Sequence, residues 1–133
     1  MKVFISDPSG TTPKVLFDPT NNKFEISGYS RPEDVRAFYK PIISWLKDFG
    51  KEIDSVKGFN KPIEFNFKLI YFNSSSAKFL LDILIEINNF HKKGVSVSIN
   101  WYYDDGDDDM KEVGEDLSEM VDFPFKYIAV YEK

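Results

Sequence analysis

The 133-residue chain contains no cysteine and one histidine, His91. Without cysteine there is no disulfide framework, no thiolate metal ligand and no sulfur nucleophile, which is compatible with a reducing compartment. His91 lies beside Lys92, Lys93 and Gly94 at a predicted helix end, about a four-turn helix from Ser74, so a serine–histidine catalytic pair is poorly placed. Basic charge is also scarce: 17 Lys and Arg stand against 22 Asp and Glu, for a net charge of −5. The cations are scattered along the chain, which argues against nucleic acid or an anionic membrane as the main partner. No apolar run is long enough to span a bilayer, and the stretch Met1 to Pro8 has no signal-type apolar core. Gly-rich phosphate loops, dinucleotide fingerprints, internal repeats and low-complexity linkers are all missing. The expectation is a cytoplasmic, non-enzymatic protein with no cofactor, folded as one domain over residues 1–133.

Hydrophobic residues make up 42% of the chain and aromatics 17%, enough for a sizeable single core. Lys14–Phe17 and Lys23–Ser27 flank the turn residues Asp18–Asn22 and predict two antiparallel strands, with a short strand at Val3–Ser6 before them. Ser30 followed by Glu33 matches a capping box. Val35, Phe38, Ile42, Trp45, Leu46 and Phe49 then recur at helical spacing, with a kink expected at Pro41. From Ile63 to Tyr71 the odd positions are apolar, and Val95, Val97, Ile99 and Trp101 alternate likewise. Such alternation predicts a sheet covered on one face and partly open to solvent on the other. Phe79–His91 and the positions Met110, Val113, Leu117 and Met120 predict two further helices, and Phe125–Tyr131 a last strand. The fold class is α/β (α+β), a single mixed sheet with about three helices packed on one face.

Ser74, Ser75 and Ser76 fall where a strand gives way to a helix, among unpaired backbone N–H groups. One reading is an ordinary helix cap, for which a single serine suffices. The other is a phosphorylation switch, because the same N–H groups stabilise added negative charge. Around the following helix, Phe79, Leu80, Ile83, Leu84, Ile87 and Phe90 form a core arc, with Asp82, Glu86 and Asn89 opposite. Leu81 and Ile85 lie outside both groups, near Lys78 and Asn88, and are either covered by a loop or part of a partner surface. The run Asp104–Asp109 admits a metal-assisted hydrolase or a solvated loop. An EF-hand register fails, since Gly106 at its sixth position puts Trp101 at the first ligand position.

The segments Thr11–Pro13, Gly28–Glu33, Phe38–Pro41, Trp45–Leu46, Tyr71–Lys78, Trp101–Tyr103, Asp107–Met110 and Gly114–Glu115, taken in order, resemble the SiaC-type bacterial regulatory phosphoproteins. The resemblance implies a fold like the STAS-type anti-sigma-factor antagonists and a partner-switching role. It implies a cognate Ser/Thr protein kinase, a PP2C-like phosphatase and a downstream effector such as a diguanylate cyclase, which the unphosphorylated form binds. Carried onto this chain, the phosphoacceptor is Ser74, following Asn73. Serine stands where the family usually has threonine, so Ser75 and Ser76 remain alternatives. The expected partner-binding residues, read from the helix face beside the serines, are Asn73, Ser75, Lys78, Leu81 and Ile85, with no catalytic residue and no metal. A constitutive interaction scaffold, whose serines only cap a helix, is the competing non-enzymatic reading.

Overall fold

The computed structural model describes residues 2–55 and 61–131. Strand β1 (Phe4–Ser6) pairs antiparallel with β2 (Lys14–Asp18), which pairs antiparallel with β3 (Lys23–Ser30). The Asp18 carboxylate makes the β2–β3 turn by accepting the Asn21 backbone N–H at 3.2 Å and its Nδ2 at 2.7 Å. Those bonds, the side-chain one first, hold the Asp18 carboxyl below its usual range.

From β3 onward each strand is followed by a helix and then by a parallel strand. Helix α1 (Val35–Ser55) leads to β4 (Ile63–Phe72), α2 (Ser74–Lys92) to β5 (Val97–Asp104), and α3 (Asp108–Val121) to β6 (Lys126–Val130). The six-stranded sheet has spatial order β1-β2-β3-β4-β5-β6, the same as the order along the chain. In β4, Ile63, Phe65, Phe67 and Leu69 are buried under the helices, while Glu64 and Lys68 are exposed on the other face. Burying each such aromatic contributes roughly 1.5–3 kcal/mol relative to leaving it exposed. The open face carries a polar network instead. Glu25 binds Lys68 at 2.9 Å and Lys14 at 3.4 Å, and the Lys68 ammonium lies 5.0 Å from the Tyr102 ring centroid. Burial pushes the Glu25 carboxyl up, but Lys68 and then Lys14 outweigh it and leave the carboxyl below its ordinary value of 4.5.

Three sequence expectations are corrected. Ser30 does not open α1: it ends β3 opposite Phe72, and Asp34 caps the helix by accepting the Ala37 N–H at 3.0 Å. Strand pairing claims Ser30 before the helix can. Helix α1 contains Pro41 and buries Tyr39 and Ile53 beside Ile42, Trp45, Leu46 and Phe49 of the predicted stripe, whose Val35 and Phe38 are partly buried. Tyr71 does not continue the buried face of β4. Gly28 pairs with Leu69 but Tyr29 with Tyr71, so Ile70 has no partner, and this bulge reverses which side chains point inward. Ile70 and Tyr71 are exposed, and Phe72 packs edge-on against Trp101 with centroids 6.2 Å apart. Gly28 has φ 101°, a conformation that a side chain would strain. In α3, Met120 is exposed, because Gly114, Leu117 and Val121 form the buried stripe. Gly114 sits so close to Trp101 that a Cβ would fall 2.5 Å from the indole nitrogen.

Candidate functional site

The segment 73–78 joins β4 to α2, and its geometry is set by Asn73. With extended backbone (φ −82°, ψ 171°), Asn73 accepts the Ser76 N–H on its side chain at 2.9 Å and the Ala77 N–H on its carbonyl at 3.0 Å. The cap is therefore an asparagine, and the expectation that one of the serines caps the helix is overturned. Asparagine and serine cap equally well, and Asn73 already stood one residue ahead of the serines. The three serines occupy the first three helical positions, where the N–H groups of Ser74 and Ser75 remain as orphan donors.

The serines differ in exposure. Ser74 and Ser75 are exposed, whereas Ser76 is fully buried. The Ser76 hydroxyl donates to the Ser30 carbonyl at 3.2 Å and accepts from the Ser30 hydroxyl at 2.9 Å. The Ser30 oxygen is also hydrogen-bonded to the Tyr39 phenol. Since the Ser30 proton is committed to Ser76, Tyr39 is the donor in that contact. Burial pushes the Tyr39 phenol above its ordinary value of 10.0, which keeps its proton in place. Asn73 N–H donates to the same Ser30 carbonyl at 3.1 Å, and the Tyr39 ring stacks on Phe79 at 5.7 Å. The first turn of α2 is thus bolted to β3 and α1 through Ser30 and Tyr39. Sequence reasoning missed both residues in this role, since nothing local marks a contact across 46 positions.

The predicted site residues come together only in part. Ser74 and Ser75 share the first turn with Asn73, and exposed Lys78 lies one turn on from Ser74. Ile85 is exposed, but Leu81 is half-buried against the core, so the apolar surface is smaller than the pair implied. Asn88, placed near that surface by helical angle, is buried and donates to the Val121 carbonyl at 2.8 Å, tying α2 to α3. No acidic residue lies in the first turn of α2. In the acidic turn, Asp107 is used as the α3 cap and accepts the Met110 N–H at 3.1 Å. Among the described residues no three His, Asp or Glu side chains converge as metal ligands, so the hydrolase reading finds no assembled site. Among those residues no helix is long and apolar enough to cross a membrane.

Comparison with known proteins places this geometry in a family. Residues 6–130 match the model of the SiaC family regulatory phosphoprotein. An uncharacterized protein of Pseudomonas aeruginosa is 30% identical over 115 residues, covering 86% of each chain. The crystal structure of apo-SiaC from Pseudomonas aeruginosa superposes with a TM-score of 0.82 at 28% identity, covering 97% of this chain and 100% of that one. SiaC in the crystal structure of the diguanylate cyclase SiaD with its activator SiaC, from the same species, is equally similar, at TM-score 0.82 and 28% identity over 96% of this chain and 99% of that one. The chain belongs to the SiaC family of regulatory phosphoproteins.

Proposed function

We propose that this protein is a single-domain, non-catalytic phospho-switch of the cytoplasm. A cognate Ser/Thr kinase phosphorylates Ser74 and a PP2C-like phosphatase restores it. The modification changes affinity for a downstream effector such as a diguanylate cyclase. The observation that carries this reading is an exposed serine at a helix N-terminus already capped by Asn73 and free of acidic residues. Relieved of capping, Ser74 is available for chemistry. A phosphoserine there adds roughly −1.5 to −2 charges beside two orphan N–H groups and the helix dipole. Lys78 stands one turn along the same face and adds a cation. Burial of Ser76 argues against it as acceptor and leaves Ser75 as the alternative.

The partner surface comprises Asn73, Ser75, Lys78, Ile85 and the accessible edge of Leu81. That SiaC of Pseudomonas aeruginosa is the activator of a diguanylate cyclase supports an effector of this class. The test is intact-mass analysis with site mapping on protein isolated from its own cells, beside a Ser74→Ala variant. The expected result is one phosphate on Ser74 in the parent and none in the variant. Unmodified parent protein under all growth conditions, or a phosphate retained by Ser74→Ala, refutes the assignment.

A further inference from the structure

The folded chain gathers cations that its sequence scatters. Between α1 and α2 lies a cleft of about 420 Å³ whose rim carries Arg36, Lys40, Lys47 and Lys78 and whose apolar lining is Ile43 and Phe79. Among the described residues no carboxylate lines it. Among the described residues none of the four cations forms a salt bridge, although the protein as a whole carries a net charge of −5. All four are exposed, while Ile43 and Phe79 are half-buried. The depression continues along the same two helices past Lys51 and Lys92, with Glu86 as the one acidic residue among the described residues that line it.

We propose that the α1–α2 cleft is a docking groove for an acidic amphipathic segment of a partner protein. Like charges held together without counter-charges repel one another, and a partner supplying Asp or Glu removes that repulsion. Ile43 and Phe79 give an apolar seat for one or two side chains, as in helix-in-groove recognition. The rest of the molecule chooses between anions. Screening limits each charge to about 8 Å at physiological salt, so a short acidic segment feels mainly the groove, whereas an extended polyanion also meets the acidic remainder of the surface. The groove does not require Ser74 to be the phosphoacceptor, and its test uses the unphosphorylated protein.

The probe is a fluorescein-labelled helical peptide of about four turns, with leucines along one face and glutamates on the others. Binding is read by fluorescence anisotropy, and its location by amide chemical-shift mapping of the labelled protein. The proposal expects saturable binding that weakens with salt, with shifts centred on Lys40, Ile43, Lys47 and Phe79. A Lys40→Glu/Lys47→Glu double variant should bind about 10-fold more weakly or worse. If that variant melts early, Lys40→Gln/Lys47→Gln takes its place with a smaller loss. The proposal is overturned by absent binding, by shifts mapping elsewhere, or by equal binding of a peptide with lysine in place of glutamate. Tighter binding of single-stranded DNA or phosphatidylserine vesicles at the same groove also overturns it, in favour of a polyanion or a membrane.

Discussion

The first turns of α2 and α3 share one capping hydrogen bond: Asn73 Oδ1 accepts from Ser76 N–H at 2.9 Å, and Asp107 Oδ1 from Met110 N–H at 3.1 Å. Their charges differ. Helix α3 begins with Asp107, Asp108 and Asp109, so its dipole is met by permanent carboxylates, while α2 begins with Asn73 and three serines and no acid. In the proposed switch, phosphorylation would give α2 the negative charge that α3 has always. The anchoring differs too. A hydroxyl chain through Ser76, Ser30 and Tyr39 holds the start of α2, whereas α3 rests on the close approach of Gly114 to Trp101.

Gly114→Val is expected to break the α3 side of this comparison with the largest effect. A side chain there must displace the buried Trp101 indole, costing about 3 kcal/mol by overpacking, which urea denaturation measures. Ser76→Ala tests the α2 side. It leaves the buried Ser30 hydroxyl without its acceptor and should cost about 1–2 kcal/mol, with faster hydrogen exchange at the start of α2. An unchanged melting temperature would show that the hydroxyl chain does not anchor the helix. A reciprocal exchange of charge sharpens the contrast directly. Ser75→Asp should stabilise by about 0.5 kcal/mol and Asp108→Ser should destabilise by about the same, both shrinking as salt is added. The smallest effect lies away from both helices. Because the folded Glu25 carboxyl titrates below its ordinary 4.5, its contribution is complete above that value and is lost as pH falls through the lower folded value. Glu25→Gln should therefore flatten that part of the acid-unfolding curve and remove the same small contribution from neutral stability.

The elements were legible because periodicity reports burial, and burial decides the sheet and its helices. Ile63, Phe65, Phe67 and Leu69 alternate in the sequence as they do under the helices. The misplacements arose where a distant residue settled the outcome. Tyr71 turns outward because a bulge against β3 shifts the frame, and Ser30 is claimed by β4 and Ser76 rather than by the helix just after it. At the candidate site the serine cluster was visible, but its division into exposed Ser74 and Ser75 and buried Ser76 was not, since it depends on Tyr39 and Ser30. The basic groove was invisible for a related reason. Arg36, Lys40 and Lys47 become neighbours of Lys78 only when α1 and α2 pack together.

The sheet order has a consequence for how the molecule is made. Every strand pairs with the one synthesised just before it, so a chain leaving the ribosome can add each new strand to an edge that already exists. No strand waits for a later one to fill a gap in the middle. The contacts that fix the α2 start join segments already made once Ser76 has emerged, because Ser30 and Tyr39 precede it. Assembly of the serine turn thus needs nothing from the last third of the chain, and a nascent chain stalled after α2 should already protect Ser76.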